Sequence, residues 1–129
     1  MISVGNLDEE REEIHVTSSQ GPTRDGRCKP EVAAPGTGIP AANGFGERDE
    51  PWIAMTGTSM ASPLVAGVVG LMLAMQPRLT AAQIGAILQR TARPLPGGDF
   101  GWRNDAGYGR MAPDECLREV AALFDRRPL

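Results

Sequence analysis

The chain has 129 residues, of which 41% are hydrophobic, 22% are charged and only 5% are aromatic. Its 16 acidic residues outnumber its 13 basic ones, giving a net charge of −3, and Lys29 is the only lysine. This balance argues against a nucleic-acid or anionic-membrane surface, because such surfaces need clustered basic residues. The length is sufficient for one domain with a hydrophobic core.

The residues that could bind a metal are few. His15 is the only histidine, and the two cysteines, Cys28 and Cys116, lie far apart with no CxxC spacing. A zinc site would need all three and a carboxylate, so we expect no metal site. The cysteines are predicted to be buried or partly buried and to behave as small hydrophobic residues. The sequence alone does not decide between this and a disulfide that joins them. No basic stretch followed by a long apolar run opens the chain, so we expect no secretory signal in it.

Short strands and loops are predicted for the first half of the chain. Residues 1–7 favour a strand, and the acidic residues 8–13 are predicted to form a solvated turn. Residues 32–34 are predicted to form a short buried strand that ends at a Pro-Gly pair, and residues 37–50 are predicted to be loop. A further strand is predicted at residues 52–56.

Every residue from 64 to 75 is apolar or glycine. A membrane-spanning helix needs about 20 such residues, so this run is predicted to be a helix buried in the protein core. Gln76 and Pro77 are expected to end it, because the residue before a proline is disfavoured in a helix.

Two amphipathic helices are predicted after this run. Thr80 and Gln83 form a capping box at the start of the first, and the second begins near Pro113. The spacing of their apolar residues predicts one buried stripe on each helix. The first stripe comprises Ile84, Ile87, Leu88 and Thr91, and the second comprises Leu117, Val120, Ala121 and Phe124.

Ser59 lies between Gly57 and the apolar helix, at a position where a helix N-terminus could assist a reaction. Unpaired backbone N–H groups and the positive end of the helix dipole would stabilise an oxyanion there. Pro63 is expected in the first helical turn, where its missing N–H costs nothing. The alternative is that Thr58 or Ser59 caps the helix, the commonest task of such residues.

The sequence restricts which serine chemistry is possible. The residue three positions after Ser59 is Ser62, so the S-x-x-K pattern is absent. A G-x-S-x-G nucleophile elbow needs its histidine after the serine, whereas His15 precedes it. The remaining possibilities are triads in which the serine comes last in the sequence, after the histidine and the acidic residue.

Four segments resemble the subtilases, the subtilisin-like serine proteases, and they occur in family order. Residues 57–63, Gly-Thr-Ser-Met-Ala-Ser-Pro, resemble the active-site serine motif, with Val-Ala-Gly following at residues 65–67. The segments at residues 18–36 resemble the stretch that precedes that motif in many subtilases. Residues 2–5 resemble the parallel strand before it, and residues 107–109 with the final helix resemble the end of the catalytic domain.

The resemblance implies an α/β fold: the C-terminal part of a three-layer subtilisin-like domain, with a mainly parallel sheet and a buried central helix after Ser59. Residues 1–129 would then lack the N-terminal portion, which in the family carries the catalytic Asp, the catalytic His and the oxyanion Asn. His15 is no substitute, because the stretch that it matches carries no general base in the family.

The resemblance also implies roles for individual residues. Ser59 would be the acylating nucleophile, and its backbone N–H would be one oxyanion donor. Thr58 would support the oxyanion with its hydroxyl, and Met60 would line the site. Glu31 occupies a place where relatives often carry Asp, sometimes near a weak cation site.

The expected function is therefore peptide-bond hydrolysis by a complete subtilase domain, with this chain inactive when alone. The alternative is a non-catalytic binding module or pseudoprotease. Expected partners are a protein or peptide substrate and the upstream part of the same domain, with no nucleic acid and no membrane span. We expect no cofactor in this chain, since family calcium sites lie mostly outside this segment. The resemblance suggests a secreted or extracytoplasmic protein.

Overall fold

The computed structural model describes residues 1–46 and 49–124, which contain five strands and three helices. The predicted strand near the N-terminus and the three predicted helices are all present. In chain order the elements are β1 (Val4–Asp8), β2 (Glu13–Ile14), β3 (Val32–Pro35), β4 (Ile39–Ala42), β5 (Trp52–Met55), α1 (Thr58–Met75), α2 (Ala81–Thr91) and α3 (Pro113–Phe124).

The main sheet has three strands in the order β2-β1-β3. Strands β1 and β3 are parallel, with Val4 opposite Val32 and Leu7 opposite Pro35, whereas β2 pairs antiparallel with β1. The other edge of β3 is bonded by residues 109–111, whose backbone exchanges two hydrogen bonds with Ala33. The predicted α/β fold is confirmed, with the parallel pair at the centre of this sheet.

Alternation along the strands separates two apolar layers. Val32 and Ala34 belong to the larger core, which they share with all three helices, while Leu7 and Ala33 face a smaller cluster on the opposite side. Helix α1 packs on β1, β3 and α3, and α2 packs on α3. Helix α1 therefore lies on the face of the sheet that carries Val32 and Ala34.

Helix α1 is buried along one side only. Its buried residues are spaced four, three and four apart, so they form one stripe: Ala61, Val65, Val68 and Met72. Beside this stripe, Leu71 is 55% exposed and Met75 is 49% exposed. The sequence predicted a core helix, and the structure differs in leaving apolar residues of α1 open, because its described packing partners cover only the buried stripe.

By length and composition alone, α1 is apolar enough to cross a membrane. Its stripe nevertheless packs against the sheet and α3, as in the core helix of a globular domain.

A hairpin replaces part of the loop predicted at residues 37–50. Strand β4 pairs antiparallel with β5, with Ile39 opposite Met55 and Ala42 opposite Trp52. The prediction of loop was wrong for β4, because this strand is defined by pairing with β5 and not by its own sequence. Pro40 is tolerated because the sheet has only two strands, so both are edges.

The two amphipathic helices follow their predicted starts. The Thr80 hydroxyl accepts a hydrogen bond from the Gln83 N–H, and the Gln83 side chain accepts one from the Thr80 N–H, confirming the capping box. On α2 the predicted residues are buried except Thr91, which is half-buried. On α3 the prediction was partly wrong: Cys116 and Val120 are the buried residues, whereas Leu117 is half-buried and Ala121 and Phe124 are exposed.

The two cysteines are free, so they form no disulfide in this structure. Cys116 is buried in the core as predicted, whereas Cys28 is exposed, so the prediction of a buried hydrophobic residue was wrong for Cys28. Burial raises the pKa of the Cys116 thiol, and its contact with the Thr91 hydroxyl at 3.1 Å opposes that effect only partly. Cys116 is therefore a neutral core residue.

We predict that Met72→Ala lowers the free energy of unfolding by about 2–5 kcal/mol, because Met72 is fully buried and its truncation leaves a cavity. The matched control is Leu71→Ala on the open face of α1, for which a loss below about 1 kcal/mol is expected. Urea denaturation followed by circular dichroism measures both. Equal losses for the two variants would contradict the one-sided packing of α1.

Alkylation distinguishes the two thiols. At pH 8 the native chain is expected to incorporate one equivalent of iodoacetamide, at Cys28, because the raised pKa and the burial of Cys116 suppress its thiolate. In 8 M urea both residues should react. Peptide mass spectrometry identifies the alkylated residues, and Cys28→Ser is the control. Rapid labelling of Cys116 in the native chain would contradict its burial.

Candidate active site

Ser59 is the second residue of α1 and follows directly from the turn after β5. Its side chain is exposed, as is that of Thr58, while Met60 is half-buried with its sulfur near Gly57. No hydrogen bond joins the Ser59 hydroxyl to any other residue that the structure describes. The serine thus has a solvent-facing hydroxyl on a rigid helix.

The turn before Ser59 is bonded to the carboxyl end of β3. The Gly57 N–H donates to the Gly36 carbonyl at 2.8 Å, and the Gly36 N–H donates to the Leu7 carbonyl at 3.1 Å. The Gly38 N–H donates to the Thr56 hydroxyl at 2.9 Å. Ser59 therefore lies at the carboxyl ends of two parallel strands, where open α/β sheets place their ligands.

The N-terminus of α1 is uncapped. Its N-cap residue is Gly57, no side chain bonds the first-turn N–H groups, and the first turn carries no acidic residue. The alternative that Thr58 or Ser59 caps the helix is therefore wrong, since both lie inside it. The free N–H groups and the helix dipole make this end a suitable site for a developing negative charge.

Pro63 lies further into the helix than predicted. Because α1 begins at Thr58, Pro63 is its sixth residue and not part of the first turn. Its missing N–H removes the intrahelical partner of the Ser59 carbonyl. The expectation that Pro63 costs no hydrogen bond was wrong, because the helix starts before the apolar run.

His15 is separate from this turn. Its Nδ1 contacts the Thr17 hydroxyl at 2.7 Å, and its ring lines a surface cavity of about 560 Å³ with Thr37. No hydrogen bond connects it with Ser59 in the part of the chain that the structure describes. A larger cavity, about 670 Å³ in volume, lies between Leu64, Pro94 and Arg110, and Ser59 does not line it.

Glu31 does not fit the role of a cation ligand. Its carboxylate accepts hydrogen bonds from the Lys29 ammonium and from the Ser3 N–H, the latter at 2.7 Å. Lys29 also donates to the Met1 carbonyl at 2.6 Å. A second cation would compete with the ammonium for one buried carboxylate.

Among residues 1–46 and 49–124, no cluster of three or more His, Cys, Asp or Glu residues is arranged to hold a metal ion.

A family model described as the subtilase family matches residues 1–109. The chain belongs to the subtilase family. This confirms the resemblance drawn from the serine motif and the segments before it, and it assigns the chain to a family of serine peptidases.

Curated relatives include subtilases from a plant and a bacterium. The chain is 33% identical over 112 residues to subtilisin-like protease SBT3.2 of Arabidopsis thaliana, which covers 84% of the chain and 14% of that protein. It is 31% identical over 105 residues to serine protease AprX of Bacillus subtilis, covering 69% of the chain and 24% of that protein. The chain thus spans less than a quarter of either relative.

Solved subtilase structures share its fold. The CspB protease of Clostridium perfringens superposes with a TM-score of 0.81 at 27% identity, over 98% of this chain and 27% of its own. Fervidolysin of Fervidobacterium pennivorans gives 0.71 at 30% identity, over 92% of this chain and 19% of its own. The chain therefore superposes on only part of each of these two solved chains.

Sequence reasoning missed Asn6, which is fully buried near the start of α1. Asn6 lies between Gly5 and Leu7 in the strand that the sequence predicts at residues 1–7. The signal was available: alternation puts Asn6 on the same face as Val4.

We predict that Gly36→Ala disrupts the Ser59 turn. An added Cβ would lie 2.6 Å from the Asn6 Oδ1 and 2.7 Å from the Gly57 carbonyl oxygen, so backbone must move. The expected loss of unfolding free energy is about 1–3 kcal/mol.

Gly67→Ala is the matched control, because it lies in α1 with open space around its Cβ and should stabilise by about 0.5–1 kcal/mol. Thermal denaturation measures both variants. A Gly36→Ala protein as stable as the parent would refute the close packing at this turn.

Proposed function

We propose that this chain supplies the nucleophile of a serine endopeptidase, with Ser59 forming the acyl-enzyme. The observation that carries the proposal is the exposed Ser59 hydroxyl at an uncapped helix N-terminus, inside a match to the subtilase family. Subtilases in the comparisons are named as proteases, so the substrate is a protein or peptide.

In the proposed reaction, the Ser59 oxygen attacks the scissile carbonyl carbon while its proton passes to a general base. The carbonyl oxygen becomes an oxyanion, which accepts a hydrogen bond from the Ser59 N–H, with the Thr58 hydroxyl in support. The amine leaves with a proton from the same base, and water then releases the acyl group. Nothing in this cycle uses His15, whose ring is bonded at Thr17.

The base, its acidic partner and a second oxyanion donor belong to the upstream portion of the domain in this proposal. Without them, the isolated chain keeps only the oxyanion contribution, and its rate falls by about 10⁴ or more.

We further propose a secreted or extracytoplasmic location, as expected for subtilases.

A second candidate is a non-catalytic binding module. The open apolar face of α1, with Leu64, Leu71 and Met75 exposed, favours it, because a contiguous exposed apolar surface marks an interaction site. The same face would bind the upstream portion of the domain under the first candidate. The two candidates differ in whether Ser59 becomes reactive.

Fluorophosphonate labelling distinguishes them. The isolated chain is expected to label no faster than Ser59→Ala, because no base deprotonates the hydroxyl. A chimera of AprX that carries residues 1–109, the part matched by the family model, in place of the equivalent part of its own subtilase domain is expected to label rapidly and at Ser59 alone.

Ser62→Ala in the chimera is the matched control, since Ser62 is exposed on the same helix and has no proposed role. It should label like the parent. A folded chimera that resists labelling would favour the binding module, and rapid labelling of the isolated chain would refute its proposed dependence on upstream residues.

A further inference from the structure

Asn6 is a polar residue in an apolar layer. It lies in β1 with 0% exposure, on the face of the sheet that supports α1. Its neighbour Leu7 points into the opposite cluster, which fixes the direction of Asn6 by alternation. The Asn6 side chain is thus enclosed between the sheet and the first turn of α1.

The carboxamide contacts the segment that holds the Ser59 turn. Its Oδ1 accepts a hydrogen bond from the Thr37 hydroxyl at 3.0 Å. The Asn6 Oδ1 also lies close to Gly36: a Cβ added to Gly36 would be only 2.6 Å from this oxygen. Asn6 itself is fixed by its N–H, which donates to the Ser18 hydroxyl at 2.9 Å.

The Asn6 Nδ2 has no hydrogen-bond partner among the described residues, although it is buried. An apolar side chain would avoid that cost, so folding alone does not explain an amide here. The one hydrogen bond that the amide does form is to Thr37. Thr37 follows Gly36, whose carbonyl accepts the Gly57 N–H, and precedes Gly38, whose N–H bonds Thr56.

We propose that Asn6 is a positioning residue for Ser59. Its carboxamide holds Thr37, and Thr37 keeps residues 36–38 bonded to both sides of the turn that starts α1. The Ser59 hydroxyl and N–H thereby keep a fixed orientation. This proposal rests on the proposed function of Ser59 as the nucleophile, and a misplaced nucleophile loses up to about 100-fold in rate.

Hydrogen exchange of the isolated chain tests the positioning without any activity. The measured quantity is the ratio of the exchange rates of the Gly57 and Ala33 amides, because the Ala33 N–H is bonded to Gly109 away from the turn and reports general loss of stability. Asn6→Leu and Thr37→Val are each expected to raise this ratio about tenfold. The double variant should equal the single variants, since both remove one interaction.

Two controls accompany these variants. Thr37→Ser keeps the hydroxyl and should restore the parental ratio. Thr91→Val removes a half-buried hydroxyl at the end of α2 and should leave the ratio unchanged. An unchanged ratio in Thr37→Val, or additive effects in the double variant, would overturn the proposal, and Thr37→Val decides it even if Asn6→Leu does not fold.

The kinetics of the AprX chimera test whether this positioning matters for catalysis. Thr37→Val is expected to lower kcat about tenfold or more with KM unchanged, and Thr37→Ser to restore it. A chimera without any Ser59-dependent activity defeats the proposed function, while the exchange ratio still decides the positioning of the turn. An active chimera in which Thr37→Val changes only KM would overturn the role of Asn6.

Discussion

The hydrogen bond between the Gly57 N–H and the Gly36 carbonyl joins the sheet to the helix that carries Ser59. It forms because Gly36 has no side chain, so the backbone after β3 approaches the start of α1 closely. The approach brings the uncapped end of α1 to the carboxyl edge of the parallel pair. Exposure of Ser59 and the free N–H groups around it both depend on this junction.

The parts of the fold that local sequence determines were predictable. The capping box of Thr80 and Gln83 involves residues three apart, and the strand at β3 is a short apolar run before a proline and a glycine. Ser59 could be placed near the start of a helix because Gly57 precedes it and a long apolar run follows. These features depend on nearby residues alone.

Features that depend on distant contacts were not predictable in the same way. Strand β4 exists through its pairing with β5, and the position of Pro63 depends on where α1 begins. The buried stripe of α3 is shifted toward Cys116 because α1 and α2 approach α3 from that side. The contact of Asn6 with Thr37 joins residues 31 positions apart, beyond any local pattern.

One physical claim joins the fold, the family and the proposed chemistry: the first turn of α1 binds the oxyanion formed at Ser59. The direct measurement is a crystal structure of the AprX chimera after reaction with a fluorophosphonate. The account predicts phosphorus bonded to the Ser59 oxygen, with a phosphonyl oxygen about 2.7–3.1 Å from the Ser59 backbone nitrogen. Phosphonylation of another residue, or a phosphonyl oxygen directed away from the helix N-terminus, would contradict it.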